Sequence, residues 1–333
     1  MRRIIMLIVL IILVLVGCSP SSEDDDKYIL SVAMDSPEDT VTYLYAEKFA
    51  QVLDEKTKGR TKTYLYSNGQ LGGDGEIAEG VQYGNISFVV QTTAPQVNFI
   101  PELAIFDLPN LFKDVEIARE VFDGEFFNTI SKYYEEKDIK LLGYADQGFR
   151  VMSSNIKIDN IDDFRGIKVR TMENPYHLKY WESIGTNPTP MAFSEVYIGL
   201  QQGTIDAQEN PVETIVSSRI YEQQDYIIET NHLLHILSLI GSAEILERLP
   251  DDIEELVYEA AAEATIWARE EADSRVENRY DIITQNNTEI IRIDEILIEE
   301  MSERSQVVYD DIRASIGDKL VEEILDAVKD LEK

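Results

Sequence analysis

Apolar and polar positions divide the chain into two similar α/β stretches followed by a long helical one. Residues 28–34, YILSVAM, are a short, mostly apolar run that predicts a buried strand. Val41, Leu44, Ala46, Phe49, Val52 and Leu53 then recur at helical spacing within 38–58, and Gly59 stands where a C-terminal cap belongs. TKTYLY (61–66) predicts a second strand and SNGQLGGDGE (67–76) a glycine-rich loop. A helix to about Gly84 leads into a third strand, ISFVVQT (86–92). Strand, helix, strand, helix, strand is the order of a parallel α/β layer. The pattern restarts with IKLLGYAD (139–146) and FRVMSS (149–154), read as two strands, then a turn at IDDFRG (161–166) and a strand, IKVRTM (167–172). Helices are predicted at 175–185, 194–202 and 211–221, with a short strand, TIDAQ (204–208), between the last two.

From Asp251 the period lengthens. Asp251 and Asp252 follow Pro250, a favourable helix start. Ile253, Leu256, Val257, Ala260, Ala264, Trp267, Ala268 and Ala272 keep helical spacing, and neither proline nor glycine interrupts 251–285. At ~1.5 Å per residue this helix runs roughly 45–50 Å, enough to cross two lobes. Its alanine-rich stripe lacks the heptad leucines of a coiled coil. A strand (289–293) and two amphipathic helices complete the chain.

Composition narrows the partners. The 333 residues leave room for two lobes of ordinary size, and 44% hydrophobic with 28% charged residues fits a folded globular chain. A formal net charge of −33 argues against nucleic acid and against anionic headgroups as docking surfaces. The chain opens with Arg2 and Arg3 and an apolar run, Ile4 to Val16, which falls short of the ~20 residues of a membrane span and reads as a signal h-region. It ends in LVGC, and Cys18 is the single cysteine. This pattern looks like a lipobox, with cleavage before Cys18 and a diacylglycerol on its sulfur; an uncleaved anchor is the alternative. Residues 1–17 are thus expected to be a lipoprotein signal peptide and 18–27 a lipidated tether.

Few motifs carry chemistry. GGDGEIAEG has neither GK[ST] nor G-x-G-x-x-G spacing and reads as a tight turn with Asp74 capping a helix. His232 and His235 are three apart, a spacing that could put both on one helical face. No cysteine or acidic residue completes a metal spacing around them, and the strand-like LLHILSLI makes them core or interface residues. No metal or cofactor is expected. What remains is Arg150 in DQGFR, Arg170 in KVRTMENP and Asn210 in QENP, each flanked by apolar, glycine or proline residues. An arginine on a strand of so acidic a chain either pairs with an internal carboxylate or is kept for one from outside. Its planar fork suits a carboxylate bidentately.

NPTPMAFSEVYIGLQQGTIDAQENP (187–211) closely resembles the signature of the substrate-binding proteins of TRAP (tripartite ATP-independent periplasmic) transporters, the DctP family. The likeness extends through residues 49–94, FDLPNLF (106–112), GFR and KVRTMENP, nearly everything from about residue 28 onward. The resemblance implies an α/β, two-lobed type II periplasmic-binding-protein-like fold with a long helix spanning both lobes. Lobe I would comprise 28–147 plus 236–275, and lobe II 148–235 plus 276–333. It implies a ligand carboxylate held by Arg170 in the interlobe cleft, Arg150 near the ligand, Asn210 contributed from QENP and Phe193 packing on the ligand. Asp35, Asp74 and Gln91 could face the ligand from the first lobe, and Glu173 and Asn174, beside Arg170, could bind hydroxyls. Two features depart from the family pattern. Ala207 replaces the usual glycine, and Thr92 and Pro95 stand where sialic-acid-binding members carry an acidic residue and an arginine, which argues against sialic acid. The expectation is a monomeric lipoprotein on the outer face of a cytoplasmic membrane, in a Gram-positive cell. It would deliver a small carboxylate, a sugar acid such as a hexuronate, to TRAP membrane permease subunits. Alternatives are a C4-dicarboxylate as ligand, an exported enzyme acting on acidic sugars through Glu173, or a sensor presenting its ligand to a receptor kinase.

Overall fold

The computed structural model describes residues 27–333; the expected signal peptide, Cys18 and the expected tether up to residue 26 lie outside the described residues. β1 (Tyr28–Ala33), α1 (Val41–Lys56), β2 (Thr61–Tyr66), α2 (Asp74–Gln82) and β3 (Phe88–Thr92) form the first α/β layer, with β1 parallel to both β2 and β3. Thr40 caps α1 by accepting the Tyr43 amide at 3.2 Å. α2 is capped by Gly73 and begins at Asp74, so Asp74 is not the cap expected of it and its carboxylate is free for other work. Two 3-10 turns, Ala94–Asn98 and Pro101–Asp107, precede two helices that the apolar spacing did not single out, α3 (Val115–Asp123) and α4 (Glu125–Glu135).

β4 (Ile139–Ser154) is one strand where two were expected. Gly148, at φ +79°, and a register break between Asp146 and Phe149 bend the strand without ending it. Its first half pairs with β9 (Leu234–Ser242), and its second half pairs with β7 (Ala207–Pro211) and β8 (Tyr226–Ile228). Between these come β5 (Val169–Thr171), α5 (Pro175–Ser183), β6 (Thr189–Pro190), α6 (Val196–Gln201) and α7 (Val212–Ser217). The strand order is β2-β1-β3-β9-β4-β7-β5-β6, and β4 and β9 carry the chain from the first lobe to the second.

After a short α8 (Ala243–Leu246), α9 (Asp251–Gln285) fills the predicted range and crosses both lobes. Ile253, Val257 and the alanines at 260, 261, 264 and 268 pack into the core of the first lobe with α1, while Ile283 at the far end joins the core around α6 and α7. Small side chains let the helix sit close to β4. A Cβ on Gly143 would lie 2.3 Å from Thr265 Oγ1, which is itself hydrogen-bonded to Tyr45 Oη at 2.5 Å. β10 (Glu289–Ile291) joins β8, and α10 (Glu295–Ile316) packs on α5. α11 (Asp318–Leu331), grouped with the second lobe from sequence, packs on α3 and α4 of the first, where Leu320, Val321 and Ile324 are buried. Among the described residues no helix is long and apolar enough to cross a membrane.

Candidate functional site

β5 is three residues long, lies between β6 and β7, and carries Arg170 opposite Thr189 and Gln208. Arg170 is 2% exposed. Its Nε and Nη2 both donate to the Met191 carbonyl, at 2.9 and 2.6 Å. Nη1 is buried with no hydrogen-bond partner, and among the described residues the guanidinium forms no ion pair. Met191 therefore holds one edge of the fork, the Nε–Nη2 side, and the Nη1–Nη2 edge is left for something else. Phe193 lies under the guanidinium, 5.8 Å from its carbon to the ring centroid. Burial pulls the Arg170 pKa down to about 10, opposed mainly by Glu209, so the group stays charged at neutral pH.

Arg170 lines a cavity of about 40 Å³, room for a few waters. Asp35, Asp74 and Gln91 line it from the first lobe, and Arg170, Phe193 and Asn210 from the second. Gln91 is buried with both amide atoms unpaired. Polar atoms in such a place carry a cost unless something satisfies them. The cavity opens into a vestibule of about 470 Å³ that shares Asp35, Asp74, Arg170, Met172 and Phe193 with it and adds Glu173. Burial and then the charge of Asp35 push the Asp74 carboxyl up to about 7, against the pull of Arg170. Asp35 is also raised, by burial, with Arg170 opposing.

Three of the nine proposed ligand-facing residues fall outside the inner wall. Arg150, 1% exposed, is wholly engaged within the protein. Its Nε donates to Glu209 Oε2, and Nη2 donates to Glu209 Oε1 at 2.8 Å, to the Glu209 carbonyl at 2.7 Å and to Asn210 Oδ1 at 3.2 Å. Nη1 bonds His235 Nδ1. Asn174 is the N-cap of α5, accepting the Tyr176 and His177 amides at 2.8 and 3.1 Å; its Nδ2 donates to the Ala94 carbonyl at 2.8 Å and Asp107 Oδ2 at 2.7 Å. No hydrogen-bonding capacity is left over for a ligand hydroxyl. Glu173 is exposed and reaches only the vestibule, while its carbonyl accepts from Asn98 Nδ2 of the first lobe at 2.8 Å.

His232 and His235 do not share a helical face. His232 precedes β9 and His235 lies in it, both buried. With His177 they surround the Arg150–Glu209 pair: His235 bonds Arg150, His232 Nε2 is 3.2 Å from Glu209 Oε2, and His177 Nδ1 is 3.8 Å from Oε1. Burial alone would raise Glu209, but Arg150 and the histidines hold it well below the carboxylate range. Burial and the Arg150 charge keep His235 well below its usual pKa, hence neutral, so its Nδ1 can accept from Arg150. The cavity wall also includes Ser36, Thr42, Thr92, Gln147, Met172, Thr214 and His235, which sequence reasoning did not assign to a ligand. Thr92 had a visible signal, since it follows Gln91 at the same strand end.

Residues 32–315 match the family model for bacterial extracellular solute-binding protein, family 7, DctP. The chain is 31% identical over 280 residues to the C4-dicarboxylate-binding periplasmic protein DctP of Rhodobacter capsulatus, covering 82% of each. It is 30% identical over 228 residues to the 2,3-diketo-L-gulonate-binding periplasmic protein YiaO of Escherichia coli K12, covering 68% of this chain and 70% of that one. Its structure superposes with a TM-score of 0.89 on the sugar acid binding protein DctPAm of Advenella mimigardefordensis in complex with galactonate, at 29% identity over 92% of this chain and 99% of that chain.

Proposed function

Because the chain belongs to family 7 of the bacterial extracellular solute-binding proteins, the DctP family of TRAP transporters, we propose that its Arg170 cavity captures the carboxylate of a small organic acid, foremost a sugar acid. Members of this family bind solutes outside the cytoplasm for membrane permease subunits and are not enzymes, which sets aside the exported enzyme on acidic sugars. The observation that carries the reading is the buried, unpartnered Nη1 of Arg170. A ligand carboxylate would take the Nη1–Nη2 edge in two parallel, charge-assisted hydrogen bonds, with Phe193 beneath the pair. Asp35, Asp74, Gln91 and Asn210 would then read hydroxyls on the rest of the molecule. Galactonate in the superposed structure and the diketogulonate of the Escherichia coli relative's name favour a sugar acid. The name of the Rhodobacter relative keeps a C4-dicarboxylate as the second reading.

Closure would occur about the strand crossings of β4 and β9, where Gly148 and the register break lie; the lobe boundaries drawn at 147/148 and 235/236 run through this point. Expelling water on closure strengthens the ion pair. A lipid on Cys18 would keep a monomeric carrier beside its permease, and mass spectrometry of the N-terminal peptide would find or miss the diacylglycerol.

A thermal-shift screen of the purified protein against aldonates, uronates, C4-dicarboxylates, sialic acid and keto acids tests the proposal. A ligand at 100 times its dissociation constant adds about 2.7 kcal/mol, which moves the midpoint by a few degrees. A shift with acids and none with the corresponding neutral sugars is expected. Stabilisation by neutral sugars alone, or by no acid at all, would overturn the carboxylate reading.

A further inference from the structure

We infer that Asp35 and Asp74 restrict the cavity to ligands with a single carboxylate, rejecting a second one at the ligand's far end in favour of hydroxyl groups. This rests on the carboxylate reading of Arg170 and narrows it. The cavity and its vestibule hold one guanidinium, Arg170, while the vestibule wall carries Asp35, Asp74, Glu76, Glu79 and Glu173. Arg150, which could have met a second carboxylate, is consumed by Glu209 and stands behind the wall. Asp35, on the loop after β1, and Asp74, at the start of α2, line the side of the cavity that the first lobe contributes. Among the described residues neither carboxylate forms an ion pair or accepts a hydrogen bond. Beside them Gln91, 2% exposed, leaves both its amide atoms unpaired.

An ionised carboxylate accepts hydrogen bonds and donates none. Hydroxyls can therefore satisfy Asp35 and Asp74, whereas a second ligand carboxylate would meet like charge in a closed, poorly hydrated space. Gln91 can either donate to or accept from the same hydroxyls. The balance depends on pH. Asp35 beside Asp74, Arg170 across from it, and Glu173 and Glu76 at the vestibule all act on Asp74, whose carboxyl is pushed up to about 7 by burial and by Asp35. His235, on β9 in the same wall, stays neutral and does not contribute. Below pH 7 Asp74 carries a proton and the rejection softens; above it Asp74 is charged and rejection is strongest.

Titration calorimetry of the purified protein with matched pairs tests this: D-galactonate against galactarate, and D-erythronate against meso-tartrate. At pH 8 the aldonate should bind at least ~100-fold more tightly than the dicarboxylate of the same length. Asp74→Asn and Asp35→Asn should each narrow that ratio by about tenfold, with unliganded unfolding midpoints confirming that the variants fold. In the wild type the ratio should also shrink between pH 8 and pH 6. A dicarboxylate bound as tightly as its aldonate, or a ratio that neither variant moves, would overturn the inference and leave the carboxylate reading standing. Failure of all four acids, and of galacturonate and succinate, would overturn that reading and this inference with it.

Discussion

Two arginines on strands flanking β7 have opposite fates. Arg150 lies on β4 and gives its guanidinium to Glu209, Asn210 and His235. Arg170 lies on β5, is as deeply buried, and holds only a carbonyl. The alternation of β7 explains the difference. Arg150 pairs across the ladder with Pro211, which places Glu209, two residues away, on the same face; Arg170 pairs with Gln208, on the other face. The acid of QENP thus belongs to one arginine and Gln208 lies on the face of the other, while Asn210 lends its Oδ1 to Arg150 and lines the Arg170 cavity. Burying a cation is expensive unless a partner compensates it. One region meets that cost from within the chain, and the other leaves it to be met by a ligand.

Removing the internal partner should produce the largest effect. Arg150→Met leaves Glu209 buried with only histidines around it and should cost ~3–5 kcal/mol of stability in chemical denaturation of the unliganded protein. An effect below about 1 kcal/mol would mean that the pair is replaceable and the contrast between the arginines is weaker than the geometry implies.

Asn174 sharpens the contrast from the neighbouring element. Asn174→Ala removes the cap of α5 and one partner of Asp107, so a loss of ~1–3 kcal/mol is expected in the same measurement. The variant should keep its ligand affinity. A large fall in affinity with stability unchanged would return Asn174 to the ligand-binding set.

The smallest effect concerns Asp74. Its folded-state pKa, about 7, is raised above the ordinary 3.8, so the stability it contributes is fully present below pH 4 and is lost as pH rises through 7. Asp74→Asn should remove this slope and make the unliganded protein about 1–2 kcal/mol more stable at pH 8, after allowing for water in the cavity. Identical stability-versus-pH curves for wild type and variant would show that Asp74 is solvated like a surface carboxylate.

The layers and the long helix were legible from periodicity, and local composition singled out Arg150 and Arg170 alike without saying which had an internal partner. The fate of Arg150 was not, because it depends on which face of β7 bears Glu209, and that is set by pairing register across 59 residues of sequence. β4 read as two strands because Gly148 has the look of a break, yet the chain passes through it in a left-handed conformation and keeps pairing. Asn174 carried a readable signal that was given the wrong weight. Asparagine directly before proline marks a helix cap followed by a favoured first residue, and α5 begins there. The three histidines around the Arg150–Glu209 pair come from α5, the segment before β9 and β9 itself, and no local pattern links them.

The most direct test of the central claim is titration calorimetry of wild type and Arg170→Met with D-galactonate, or with the acid that gives the largest thermal shift. The variant should lose ~2–5 kcal/mol of binding free energy, while its unliganded stability changes by less than about 1 kcal/mol because no buried charge is orphaned, only the half-buried Met191 carbonyl. Wild-type affinity in Arg170→Met would contradict the assignment of this arginine to a ligand carboxylate.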